Sequence, residues 1–105
     1  MKSNDKYVVI TSGIASVDIV EIAYYLSIHE GVDTATNILN KIYKSIESLD
    51  MFPNRYKEIE VDGIHFREMI VGKFRIIYSV DSLNYVVVIE KILYTGRDIS
   101  KIAIG

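Results

Sequence analysis

The chain has 105 residues and a mass of 12.0 kDa, room for one domain spanning residues 1–105 and no second. Half of it is apolar or aromatic and a quarter is charged, which excludes an intrinsically disordered chain. With no cysteine there is no disulfide framework, thiol nucleophile or thiolate metal site. The longest uninterrupted apolar runs, such as Tyr85 to Ile89, are far short of the ~20 residues of a transmembrane helix, and no signal-like segment opens the chain. A soluble, cytoplasmic protein with no membrane partner is expected. A net charge of −2 and a pI near 5.6 argue against a protein made mainly for sequence-independent binding to a phosphate backbone. The charge is uneven, however: residues 1–50 carry four Lys and seven acids, residues 51–105 eight cations and seven acids, and all four arginines lie in the second half. Chemistry directed at anions is expected there.

Lys6 to Thr11 is rich in β-branched residues and reads as a first strand. From about Ile14 to His29 the period becomes helical. Ala15, Ile19, Ile22 and Leu26 recur at steps of four and three and form one stripe. Val17, Val20, Tyr24 and Ile28 form a second stripe about 180° away. A helix with two apolar sides is either sandwiched inside its own domain or keeps one side for a partner chain.

Gly31 is placed to end that helix, and Asp33 to cap the next. There Ala35, Ile38, Leu39, Ile42, Tyr43, Ile46 and Leu49 oppose Lys41, Lys44 and Glu47, an amphipathic helix of about four turns. Pro53, the only proline, closes the resulting helical hairpin after Phe52.

Ile64–Val71, Phe74–Val80 and Tyr85–Tyr94 read as a three-stranded meander. Gly72-Lys73 suits a two-residue turn and Asp81 to Asn84 a four-residue one. Asp98 to Ile104 suits a closing helical turn. The order βααβββ predicts an α+β domain with a helical hairpin packed on a small antiparallel sheet.

Metal-binding, nucleotide-binding and nucleophile motifs are absent. The two histidines, His29 and His65, lie on elements of different type without ligand spacing, so neither metal nor cofactor is expected. Glu58 and Glu60 share a strand face and read as solvent-facing charge sooner than as an acid–base pair. The remaining chemistry lies in Arg55, Tyr56, Lys57, Arg67, Lys73, Arg75, Tyr94 and Arg97, a mix of cations and aromatic faces suited to RNA or a charged protein surface. The competing reading pairs them with local acids, Glu68 with Arg75 and Asp98 with Arg97. Register separates the two. A strict two-residue loop at Gly72-Lys73 pairs Arg67 with Tyr78 and sends Arg67 and Arg75 to opposite faces. A three-residue loop with a bulge puts both on one face, where they can serve one concave site.

Leu49-Asp50-Met51-Phe52-Pro53, Phe66-Arg67-Glu68, the run from Val71 to Asp81, Val87-Val88-Ile89 and Gly96-Arg97-Asp98-Ile99 together resemble the RelE/ParE superfamily of toxins from type II toxin–antitoxin modules, associated with plasmid stabilisation and growth inhibition. Tyr7-Val8-Val9 and Asp18-Ile19 extend the resemblance over nearly the whole chain. It implies a toxin neutralised by a cognate antitoxin, with either of two activities. RelE-like members cut messenger RNA on the ribosome, and Arg67, Arg75, Tyr94 and Arg97 would then be catalytic, Tyr94 standing where the family has a histidine. ParE-like members inhibit DNA gyrase and have no known chemistry of their own. The acidic balance favours the ParE-like reading over a nuclease entering an RNA-lined site; a repurposed, inactive binding module is a third reading. In the favoured one, Arg55, Tyr56, Lys57 and Lys73 contact the target. Val17, Val20, Tyr24 and Ile28, and besides them the exposed sheet edge, are the candidate docking surfaces for an antitoxin. Whether the chain also forms a homodimer is open.

Overall fold

The structure, a computed structural model, describes residues 6–95. Arg97 and the closing turn expected at Asp98 to Ile104 therefore lie outside the described residues. Strand β1 (Val8–Thr11) leads into helix α1 (Gly13–Glu30) and helix α2 (Val32–Glu47), followed by two short 3-10 turns, Ser48–Asp50 and Pro53–Arg55. Strands β2 (Lys57–Val61), β3 (Ile64–Val71), β4 (Phe74–Asp81) and β5 (Val86–Tyr94) complete the domain. The fold class is the expected one: α+β, with a helical hairpin on one side of a sheet.

Ser12 starts α1, its Oγ accepting from the Ala15 N–H at 3.0 Å. The same hydroxyl donates to the Glu90 carbonyl at 3.1 Å, so the cap also ties the helix to β5. Gly31, at φ 92°, ends α1 and begins α2. That angle is costly for any residue with a Cβ, and it lets the helical hairpin turn on one residue. Asp33 consequently falls inside the first turn of α2, and the helix start has no side-chain cap. The first stripe of α1 faces the core, with Ala15, Ile22 and Leu26 buried, as are Ala35, Ile42 and Ile46 of α2.

The sheet has five strands in the order β1-β5-β4-β3-β2. Two features differ from expectation. The meander has a fourth strand, β2, joined to β3 through Asp62-Gly63, whose φ values of 52° and 80° make a two-residue hairpin turn of the primed kind. And β1 lies parallel to β5, Val8 beside Val86 and Thr11 beside Ile89, so the sheet is mixed. A strand joined to its sheet only through the two helices is free to lie parallel to its neighbour.

Between β3 and β4 the turn is the strict two-residue form, with Val71 opposite Phe74, Met69 opposite Ile76 and Arg67 opposite Tyr78. Gly72 takes φ 56° there, the left-handed value that such a turn requires at its first position. Side chains alternate, so Arg67, Met69, Phe74, Ile76 and Tyr78 share the face under the helices, and Glu68, Ile70, Arg75 and Ile77 point the other way.

A bulge places Tyr78 opposite Ile89 and Ile77 opposite Lys91, leaving Glu90 over. Beyond Ile89 strand β5 has outrun β1, and Asp18 of α1 takes over that edge. Its Oδ2 accepts the Ile92 N–H at 2.9 Å and its Oδ1 the Lys91 ammonium at 2.8 Å. Asp18 is only 6% exposed, and these bonds are what make a carboxylate tolerable there.

Candidate functional site

The segment between α2 and β2 is held by side chains from three places. Arg55 donates through Nη1 to the Met51 carbonyl and, at 3.1 Å, to that of Phe52. Its Nη2 reaches the Ser48 carbonyl at 3.3 Å and the Ser48 hydroxyl at 3.1 Å, while the guanidinium lies 4.7 Å from the centre of the Tyr56 ring. From β3, Arg67 donates to Asn54 Oδ1 at 3.1 Å and to the Tyr56 carbonyl at 2.8 Å. From β4, the fully buried Tyr78 donates its hydroxyl to the Pro53 carbonyl at 2.6 Å. Burial pushes the Tyr78 hydroxyl up to about 12 from its ordinary 10.0, against the opposing pull of the Arg67 and Arg55 charges. Arg55, Tyr56 and Arg67 are thus brought together, but the arginines bond to the chain's own carbonyls.

Arg75 stands on the opposite face. Its Nε and Nη2 both reach one carboxylate oxygen of Glu68, whose side chain is 9% exposed, so the pairing with a local acid is the one the structure holds. Lys57 sits beside Glu68 across the β2–β3 ladder. Tyr94 lies elsewhere again, buried, stacked on Phe74 at 4.8 Å and meeting Tyr25 edge-on at 5.6 Å. With Lys73 it lines a cleft of about 330 Å³ between the Gly31 end of the helical hairpin and the β3–β4 turn, where Lys41 and Glu30 also stand. Arg67, Arg75 and Tyr94 therefore do not converge. The expected single cationic surface divides into a corner at residues 48–56, the face bearing Arg75, and this cleft.

The second stripe of α1 is intact and uncovered. Val17, Val20, Tyr24 and Ile28 are 58, 67, 69 and 59% exposed. Of these, Val20, Tyr24 and Ile28 line an open groove together with Glu21, Tyr25 and His29, the last stacked on Tyr25 at 4.2 Å. The sandwiched arrangement is thereby excluded for the described residues.

Two residues carry roles that the sequence does not announce. Asp18 stands there only within the Asp18-Ile19 pair of the resemblance, with no sign of burial or of a partner. Phe52 stands there within the Leu49-to-Pro53 segment of the same resemblance and as the residue before proline. Its 62% exposure and left-handed backbone, φ 49° and ψ 54°, emerge only from the fold. Among the described residues no group of three or more His, Asp or Glu is placed to hold a metal ion, and no helix is long and apolar enough to cross a membrane.

A family model described as the ParE toxin of a type II toxin–antitoxin system, parDE, matches residues 9–99. No curated protein sequence matches the chain. Among solved structures, a chain of the chromosomal ParDE system from P. aeruginosa superposes with a TM-score of 0.72 at 17% identity, covering 85% of this chain and 96% of that one. The RelBE2 toxin–antitoxin complex from Mycobacterium tuberculosis gives 0.67 at 19%, covering 85% and 98%. The archaeal RelE–RelB complex from Pyrococcus horikoshii gives 0.64 at 17%, covering 89% and 99%. These likenesses show a shared fold, while the family match extends from β1 to beyond β5: the chain belongs to the ParE toxin family of type II toxin–antitoxin systems.

Proposed function

We propose that this toxin arrests growth by binding a macromolecular target, DNA gyrase, without cutting RNA, and that a cognate antitoxin silences it by docking on the outer stripe of α1. The observation that carries the reading is the separation of Arg67, Arg75 and Tyr94. Stabilising a cleaving phosphate takes donors within hydrogen-bond reach of the same few oxygens. Here the Arg67 donors go to Asn54 and Tyr56, the Arg75 donors to Glu68 on the other face, and the Tyr94 ring lies between Phe74 and Tyr25. The acidic balance of the chain supports the same choice.

Support for the antitoxin comes from the four exposed side chains of α1 and from the ParDE and RelBE complexes that share the fold. An amphipathic helix laid along such a stripe buries an apolar face against it. The test pairs two assays of the purified protein. A fall in gyrase supercoiling with message left intact in a reconstituted translation reaction is the expected result. Cleaved message, abolished by Arg75→Ala, would overturn it.

A further inference from the structure

The corner at residues 48–56 presents an aromatic side chain in an unfavourable backbone conformation, with no evident gain to the fold. Phe52 is 62% exposed, so its ring adds little to the core. Its φ of 49° lies in the left-handed region, where a bulky residue is an outlier, and the proline that follows restricts it further. Glycine would fit this angle without penalty, and a polar residue would suit the exposure.

The conformation persists because the chain around it is fixed from three directions. The Phe52 carbonyl accepts from the Arg55 backbone N–H at 3.2 Å as well as from its guanidinium. The next carbonyl, of buried Pro53, takes the Tyr78 hydroxyl, and the side chain of Asn54 takes Arg67. Strain held in place by its surroundings is characteristic of binding and switch positions. With the backbone already held, only the two side-chain torsions of Phe52 remain to be ordered when a partner buries the ring.

The chemistry around the ring defines the partner. Both terminal nitrogens of Arg55, and the Nε and Nη1 of Arg67, donate to carbonyl, hydroxyl and amide oxygens of the chain itself, which leaves few of the corner's donors for an anion. An exposed aromatic flanked by Arg and Tyr has instead the composition of a protein–protein hot spot. None of the bonds fixing the corner comes from α1, so it is built independently of the stripe assigned to the antitoxin.

We propose that Phe52 is the aromatic anchor with which this toxin enters an apolar pocket on a protein target, on a surface separate from the outer stripe of α1. This rests on the growth-arrest reading above. The experiment titrates expression of the wild type, Phe52→Gly, Phe52→Leu and, as an exposed apolar control in the β4–β5 turn, Leu83→Ser, Leu83 being 91% exposed, and follows growth and the thermal midpoint of each purified protein. Wild type arrests growth and Leu83→Ser matches it. Phe52→Gly needs at least about 30-fold more protein for the same arrest, the loss typical of a hot-spot side chain, while its thermal midpoint equals or exceeds that of the wild type. Phe52→Leu, which still fills an apolar pocket, stays within a few-fold. A fully active Phe52→Gly overturns the proposal, and so does an equal loss in Leu83→Ser or a fall in thermal midpoint that accounts for the lost activity. A Phe52→Leu as inactive as Phe52→Gly points to ring stacking on a nucleic acid and overturns the protein pocket. If the wild type itself leaves growth unchanged, the growth-arrest reading has failed first.

Discussion

Helices α1 and α2 are adjacent and of similar length, 18 and 16 residues, yet they relate to the domain differently. In α2 the buried side, Ala35, Ile42 and Ile46, is opposed by exposed Lys41, Lys44 and Glu47, the pattern of a helix satisfied by its own core. In α1 the buried side holds Ala15, Ile22 and Leu26, and the far side is again apolar and bare. Single exposed apolar residues are ordinary on any protein surface; a continuous stripe along about three turns marks a place where something docks. The domain uses only half of α1.

This contrast fails if the inner side of α1 proves dispensable, and the most severe test is Asp18→Ala. It leaves the Lys91 ammonium without its partner and the Ile92 N–H without an acceptor, in a buried place. A loss of about 3–5 kcal/mol in urea unfolding is expected; a loss below about 1 kcal/mol would show that the pair is solvated. Next, Leu26→Ala, at 1% exposure, should cost about 2–5 kcal/mol, whereas Tyr24→Ala, two residues away on the bare side, should stay within about 0.5 kcal/mol. Similar losses for both would mean that the two sides are not distinct.

Tyr78→Phe probes the corner at residues 48–56. Removing the hydroxyl leaves the Pro53 carbonyl without that donor and should cost about 1–3 kcal/mol at neutral pH. The Tyr78 hydroxyl is raised to about 12 in the folded state from 10.0, so ionisation favours unfolding. Its contribution is complete below pH 10 and is lost as pH rises from 10 towards 12. Thermal midpoints across that range should fall more steeply for wild type than for Tyr78→Phe; parallel curves would refute the assignment. The smallest effect on stability is expected of Val20→Lys, within about 0.5 kcal/mol. In cells that also make the antitoxin, that variant should escape neutralisation and restore growth arrest; unchanged protection would move the docking site off α1.

The sequence already contained much of this arrangement. Both helices follow from side-chain period and the position of the β3–β4 turn from Gly72-Lys73, because those signals are local; the choice between a two-residue and a bulged three-residue loop there, and with it the register, comes only from the fold. Strand β2 was missed because Lys57, Glu58 and Glu60 put three charges into five residues, which reads as loop; the Asp62-Gly63 turn was the stronger signal. Parallel pairing of β1 with β5 leaves no local mark at all. For the sites, helical period revealed the second stripe of α1 but not whether anything covered it. The arginines misled because residue type shows that a cation is present and not what it bonds: Arg55 and Arg67 meet mostly backbone carbonyls, which no side-chain pattern announces.

The parallel pairing of the first strand with the last bears on when the protein becomes itself. Ser12 and Glu90, bonded to each other in the finished fold, are 78 residues apart, which at typical rates of translation is about 4–16 s of synthesis. Until β5 has been made, β1 lacks its neighbour, Asp18 its lysine and the Ser12 hydroxyl its carbonyl acceptor. Contacts so distant along the chain also form slowly. A nascent chain therefore lacks the completed sheet throughout most of its translation, and its surfaces are assembled only as the last strand arrives.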